Sequence, residues 1–442
     1  MVKLVFVYPP FCTPVSPPYS VTNLYSKFKA NSDVGVSALD LNVEFHNLFF
    51  KDFKSYFQSK DWRDYDEKSK SCVSVFKEAY RRSHSLILSN EEPEGFDYLL
   101  GLVLKEKPDF VAFSIVYSSQ VFYAYSLIKK LKSLGVKTVV GGPCVSSKVR
   151  SVADFFFEDE DSLLDFFGVV PSNDFFVDFS VFDSGKYFSP GLVLPLKTSS
   201  TCFYKGCAFC SHFSNKKYVE FDLGFIERTV SNNDSDLFFL VDDMIPSQRL
   251  LDLAKIFKRH NVSWGCQLKP TKDFSREVLQ ELRGSGLKFV LWGVESGSNR
   301  VLKAMKKNTN KEDMALILKN SKESGVFNVV YVLFGFPSET RSEFLETIDF
   351  LKQNKDYVDL VSSAVFGLQK GSKVYADPEK YCVTNIFEEE RTFLEPKVSY
   401  SVSNGLSAEK AFALRKSHLK FLASINKVPS RLNFFREHVF FY

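Results

Sequence analysis

The chain has 442 residues, with 57 Lys and Arg against 53 Asp and Glu, a formal charge of +4. Apolar residues are 45% and charged residues 25%, the ordinary globular range, so a disordered or fibrous chain is excluded; at roughly 100–200 residues per domain the length points to two or three domains. The near-balanced charge gives no electrostatic case for nucleic acid or an anionic membrane surface as partner. Phe is over-used, 47 residues against 4 Met and 3 Trp, which reads as codon bias placing Phe where Leu usually fills a core.

In chain order, Lys3-Leu-Val-Phe-Val-Tyr8 is a buried strand ended by Pro9-Pro10. It is too short for a secretion signal, and no segment supplies the ~20 apolar residues of a membrane span, so a cytoplasmic protein is expected. Residues 45–100 are rich in Lys, Asp, Phe and Ser and read as helices decorating a sheet. Phe110–Tyr117 and Val136–Val140 are further strands, the latter stopped by Gly141-Gly142-Pro143. Between them Val121–Leu134 carries Leu127, Ile128 and Leu131 on one helical face. Continuous apolar strands alternating with amphipathic helices predict a doubly wound parallel sheet over residues 1–170.

A second βα series follows over residues 171–365. Its strands are expected at Pro195–Thr201, Leu237–Asp242, Val262–Leu268, Lys288–Glu295, Asn328–Phe334 and Val358–Phe366, with helices such as Arg249–Arg259 and Lys311–Ser324 between. Six such units predict a partial (β/α)6 barrel of TIM type, whose chemistry would sit at the carboxyl ends of the strands. Residues 366–442, including a helix over 407–426, read as a small, mostly helical C-terminal region.

Eight cysteines are too few for a disulfide scaffold, and a reducing compartment keeps them as thiols. Cys12, Cys72, Cys144, Cys266 and Cys382 are scattered, but three fall together in Cys202-Phe-Tyr-Lys-Gly206-Cys207-Ala-Phe209-Cys210, directly after the first barrel strand. Chance thiols are one reading. A zinc-stabilised binding module is another, with His212 as fourth ligand two residues beyond Cys210, a tight geometry for one tetrahedron. An iron–sulfur cluster held by three Cys, with one iron open to substrate or cofactor, is the third. His84, His212, His260, His418 and His438 otherwise read as surface or satisfied residues.

The downstream motifs resemble those of radical S-adenosylmethionine (SAM) enzymes, specifically those with an N-terminal cobalamin-binding-like domain. The family's usual spacing is Cys-x3-Cys-x2-Cys; here one residue is inserted, and Gly206 is expected to absorb it with an unusual φ. Phe239-Leu-Val-Asp242-Asp243, Gly293-Val-Glu295-Ser296-Gly297 and Gly335-Phe-Pro337-Ser-Glu339 end the second, fourth and fifth strands of the series, in family order, and the run Val301-Leu-Lys-Ala-Met305-x-Lys307 after the fourth is also typical of the family. The resemblance implies that Cys202, Cys207 and Cys210 bind a [4Fe–4S] cluster, that Phe209 packs near the adenine of SAM, and that Asp242, Asp243, Gly293, Glu295 and Ser296 contact SAM. It also implies reductive cleavage of SAM, driven by an electron donor such as flavodoxin or ferredoxin, on an unknown small-molecule or peptide substrate.

Tyr8-Pro9-Pro10, Asp40-Leu41-Asn42, Lys107-Pro108-Asp109 and Gly141-Gly142-Pro143 resemble cobalamin-binding domains of the same class. This implies a cobalamin held at Gly141, Gly142 and Pro143, and methyl transfer or another radical modification. Two departures keep a cobalamin-free scaffold as the alternative: Tyr117–Gln120 lacks the His that often ligates cobalt, and Asp154–Glu160 replaces a Gly-Glu-Gly-Glu segment. No residue pattern identifies a catalytic acid, base or nucleophile.

Overall fold

The computed structural model of the chain describes every residue except Met1, Pro171, Asn173 and 212–216. The first sheet comprises β1 (Lys3–Tyr8), β2 (Gly35–Asp40), β3 (Phe110–Ser114), β4 (Lys137–Gly141) and β5 (Phe155–Phe157). All pairings are parallel, in the order β2-β1-β3-β4-β5. In β1, Val5 and Val7 join one apolar cluster and Leu4, Phe6 and Tyr8 the other. Both faces are covered, which is why the strand is an unbroken apolar run. The two edge strands, β2 and β5, are additions to the expected three. β1 has β2 on one side and β3 on the other, so the winding reverses there and opens a crevice at the carboxyl ends of β1 and β3.

The second sheet comprises β6 (Val193–Leu196), β7 (Leu237–Leu240), β8 (Ser263–Leu268), β9 (Leu287–Glu295), β10 (Phe327–Phe334) and β11 (Leu360–Val365). The strands are parallel and in sequential order; β6 and β11 are the two edges, so the barrel is open, as six units predict. Leu194, Phe238, Trp264 and Trp292 face outward, onto crossover helices such as Ser247–Arg259 and Lys311–Glu323.

The concave face packs differently. Val193, Phe239, Phe289, Leu291, Val329 and Leu360 join one cluster with the core of the first sheet and with Leu432, Phe435 and Val439 of the C-terminal tail. Burying each such side chain is worth about 1.5–3 kcal/mol, so the two sheets and the tail are energetically one body. The tail, residues 430–442, crosses the inner face, with the Phe440 and Phe289 rings 4.9 Å apart.

The C-terminal region also contains an antiparallel hairpin, β12 (Val383–Glu389) and β13 (Lys397–Val402), where mostly helix was expected. The helix expected over 407–426 divides at His418 into Ala408–Ser417 and Leu419–Ile425. Among the described residues no helix is long and apolar enough to cross a membrane.

Candidate active site

The three-cysteine loop leaves the carboxyl end of β6 and is tied down by two neighbours. The Tyr204 hydroxyl donates to the Lys306 carbonyl at 2.5 Å, and the Ala208 N–H donates to the Met305 carbonyl at 2.8 Å. From the C-terminal region, Lys373 Nζ donates to the carbonyls of Lys205 at 3.2 Å and Gly206 at 2.8 Å. The inserted residue is absorbed by Lys205, at φ 49°, and not by Gly206 as expected. Gly206 is required for another reason: a Cβ there would lie 2.4 Å from the Tyr204 ring.

Cys202, Cys207 and Cys210 are half-buried free thiols. The Cys210 thiol hydrogen-bonds Cys207 and, with help from the Lys307 and Lys269 charges, holds Cys207 down to about 6 against burial. Cys210, the partner that keeps its proton, is pushed up by that same bond and by burial. Burial also raises Cys202, partly offset by the N–H groups of Lys205 and Tyr204. Among the described residues no three Cys, His, Asp or Glu side chains already stand as a metal-ion site. The donor set nonetheless suits an iron–sulfur group, with three thiols on one nine-residue loop and lysines to balance thiolate charge. His212 lies outside the described residues.

Two buried lysines face this loop. Lys269, 5% exposed at the end of β8, sits with Nζ 3.4 Å above the Tyr204 ring. Lys307 pairs with Glu295, Nζ to Oε1 at 2.8 Å, and lies 5.6 Å from the Phe209 ring centroid. Burial works against the Lys307 charge, but Glu295 and Cys207 more than offset it, so it stays above its ordinary value. Glu295 ends β9 at φ 65°. Gly293 makes room for the pair, since a Cβ there would lie 2.9 Å from both Glu295 Oε1 and Lys307 Nζ. Sequence reasoning gives Lys269, just beyond a strand end, no signal, and meets Lys307, twelve residues past Glu295, only as the end of the family-like run Val301-Leu-Lys-Ala-Met305-x-Lys307, with no role attached.

The other expected SAM contacts separate. Asp243 is exposed, and its charge reaches Cys202. Asp242 is buried and accepts hydrogen bonds from Thr198 N–H and the Ser199 hydroxyl, stapling the end of β7 to the end of β6. Ser296 is fully buried and bonded to Thr347 and Ser298. The Asp242 and Ser296 side chains are thus committed to packing.

A cavity of about 890 Å³ lies between the sheets. Phe11, Cys12 and Tyr117, beyond the ends of β1 and β3, form one wall; Tyr331, Leu333 and Glu295 form the other. It therefore runs from the crevice of the first sheet to the carboxylate beside the cysteine loop. Of the β4 end, Cys144 lines it while Gly141, Gly142 and Pro143 do not. Gly142, at φ 112°, is accounted for by the backbone: a Cβ would lie 2.5 Å from the Ile115 carbonyl oxygen. His46, which the sequence reading did not weigh, is fully buried at the cavity wall. Burial holds it down to about 4, its Nδ1 lies 2.7 Å from the Asn42 carbonyl, and its Nε2 has no hydrogen-bond partner among the described residues. His438 is satisfied on both nitrogens, by the Tyr65 hydroxyl at 2.8 Å and the Phe188 carbonyl at 2.7 Å.

Residues 196–351 match the Radical SAM superfamily family model. A putative methylthiotransferase of Methanocaldococcus jannaschii is 36% identical over 75 residues, 17% of this chain and 17% of that protein. The tRNA-2-methylthio-N(6)-dimethylallyladenosine synthase of Thermotoga petrophila is 32% identical over 140 residues, 30% of this chain and 31% of that protein. The chain thus spans less than a third of the length of these relatives. Over nearly the whole chain the fold is similar to that of the radical S-adenosylmethionine methyltransferase TsrM from Kitasatospora setae, with TM-score 0.66, 14% identity, and 98% and 90% of the two chains covered. The cobalamin-dependent S-adenosylmethionine radical enzyme OxsB gives TM-score 0.65, 12% identity, and coverage of 95% and 66%. At such identities the likeness is one of fold.

Proposed function

We propose, from the match of residues 196–351 to the Radical SAM superfamily model, an enzyme in which Cys202, Cys207 and Cys210 hold a [4Fe–4S] cluster. SAM binds beside it at Glu295, cobalamin occupies the interdomain cavity, and a methyl or methylthio group is transferred to a small-molecule or peptide substrate. The supporting observation is the single cavity of about 890 Å³ that joins the crevice of the first sheet to Glu295. When bound, the cluster and SAM supply one-electron cleavage chemistry and cobalamin supplies a transferable methyl group.

The chain's own residues do the rest. Three thiolates from one loop leave one side of the group open, and Lys269 and Lys307 balance their charge. Glu295 receives the polar end of SAM, held in place by Lys307 and given room by Gly293. Phe209 offers a ring face to the adenine, and Asp243 stands at the same rim. Phe11, Phe76 and Leu333 wall the cavity and exclude water from the reacting groups. A flavodoxin- or ferredoxin-type protein supplies the electron.

Anaerobic reconstitution with iron and sulfide is the first test, with about four irons per chain and a visible charge-transfer band expected. Both disappear on changing any of the three cysteines to Ala. One zinc and no colour would sink the reading. Glu295→Ala is expected to weaken SAM binding with iron content kept. A second reading leaves the first sheet as a cofactor-free scaffold; it is favoured by Gly142, whose glycine Ile115 explains alone. A washed protein that carries no corrin after exposure to hydroxocobalamin, yet cleaves SAM, would select it.

A further inference from the structure

The C-terminal tail places at the interdomain cavity one cation, Arg436, that is given no part in holding the cluster or SAM. Arg436 follows Phe435, which is fully buried, and precedes His438, fixed on both nitrogens, so the tail holds its position rigidly. Its guanidinium lies 5.6 Å from the Phe239 ring centroid on the concave face of the second sheet. It is half-buried at the cavity wall, beside the Tyr331 and Tyr117 phenols. Burial disfavours its charge, but Glu437 and the two phenols outweigh this. Among the described residues it forms no ion pair.

Few charges reach the cavity, and the carboxylate nearest Arg436 is its chain neighbour Glu437, whose charge also acts on the lining Cys12, Tyr117 and Tyr331. Glu295 is the one carboxylate among the described lining residues, and it is held by Lys307 at 2.8 Å. Against it stand Arg436 and, at the rim, Lys77. The walls between are largely aromatic and aliphatic, including Phe11, Phe76 and Leu333. A guanidinium fork flanked by phenols, at one end of an apolar space, matches a carboxylate or phosphate on a ring-bearing body.

We propose that Arg436, supported by Tyr331, binds an anionic group, carboxylate or phosphate, carried by an apolar, ring-bearing ligand in this cavity. This rests on the cavity being the site of the proposed reaction, and it names the chemical class of the group that Arg436 takes. Two molecules could present that anion there: the substrate itself, or the phosphodiester in the nucleotide tail of cobalamin.

The test uses the full chain and a matched pair of probes, the anion 1-anilinonaphthalene-8-sulfonate and the neutral N-phenyl-1-naphthylamine. Binding is read by fluorescence titration and folding by thermal melting. Arg436→Gln is expected to weaken the anion by about tenfold or more while leaving the neutral probe within about twofold; Arg436→Lys recovers part of the loss, and Tyr331→Phe gives a smaller one. Equal loss of both probes at unchanged melting temperature, or no change in either, overturns the proposal. If Arg436→Gln melts early, Tyr331→Phe and Arg436→Lys carry the same comparison.

Hydroxocobalamin against cobinamide, which lacks the nucleotide phosphate, separates the two sources. Selective loss of hydroxocobalamin assigns the anion to the cofactor, and unchanged binding of both assigns it to the substrate. Iron content on the same preparations keeps the questions apart. A chain that takes up no iron but binds the anionic probe through Arg436 retains this site and loses the radical SAM reading.

Discussion

Glu339 shows how much one side chain of a motif owes to its surroundings. It is fully buried, its Oε2 accepts from the Gly335 N–H, and its Oε1 has no hydrogen-bond partner among the described residues. Burial pushes its carboxyl up to about 8 from 4.5, against the Gly335 N–H. The native state therefore binds a proton that the unfolded state has released, and stability falls as pH rises from about 4.5 to 8. Glu339→Gln is expected to raise the melting temperature at pH 8 but not at pH 4.5, by a free-energy difference of roughly 1–3 kcal/mol. A parallel shift at both values would show that burial is not the cause. At Gly293 the same scale governs ligand binding. A Cβ must displace the Glu295–Lys307 pair, so Gly293→Ala is expected to weaken SAM binding measured by equilibrium dialysis while leaving the melting temperature nearly unchanged.

Among the elements, strands buried on both faces were legible and edge strands were not. β1, β3 and β4 are apolar runs because helices cover both of their faces. β2 has the sequence GVSALD and is half-exposed; its register comes from β1, which pairs Lys3 with Gly35 through to Tyr8 with Asp40. β5 is three Phe residues set among acids. Partner strands define both, and no local periodicity reports them. The loop at the end of β4 carries the corresponding lesson about glycine: Gly142 bends against the Ile115 carbonyl whether or not a cofactor binds. Gly142→Ala is therefore expected to destabilise the protein by about 1–3 kcal/mol in denaturant titration, with the same loss in the presence and absence of hydroxocobalamin. A loss confined to the cofactor-loaded protein would reverse that assignment.

Across the whole molecule, the concave face of the open barrel is completed by other parts of the chain. One apolar cluster contains Val5 and Phe113 of the first sheet, Phe289 and Leu291 of the second, and Phe435 and Val439 of the tail. A boundary near residue 170 therefore divides two sheets but not two cores. Calorimetry of the full chain is expected to give one cooperative transition. Deleting residues 430–442 strips the inner face of Phe435, Val439 and Phe440 and is expected to lower the transition temperature by several degrees or more. Two separable transitions in the intact chain would contradict the shared core.

The sequence alone determined the order of βα units, the parallel character of both sheets, and the nine-residue thiol loop at a strand end, because each is written in local periodicity or in the spacing of a few residue types. It did not place the lysines that face those thiols, and it could not separate Asp243, which reaches Cys202, from Asp242, which staples two strands. Nor did it indicate that a C-terminal arginine enters the cavity beside Tyr117, beyond β3 of the first sheet, and Tyr331, in β10 of the second, both far from it in the chain. Tertiary structure decided these because burial and charge pairing depend on what the remote chain brings alongside. A lysine is a solvated surface group until a strand end, an aromatic ring and a thiol loop close around it.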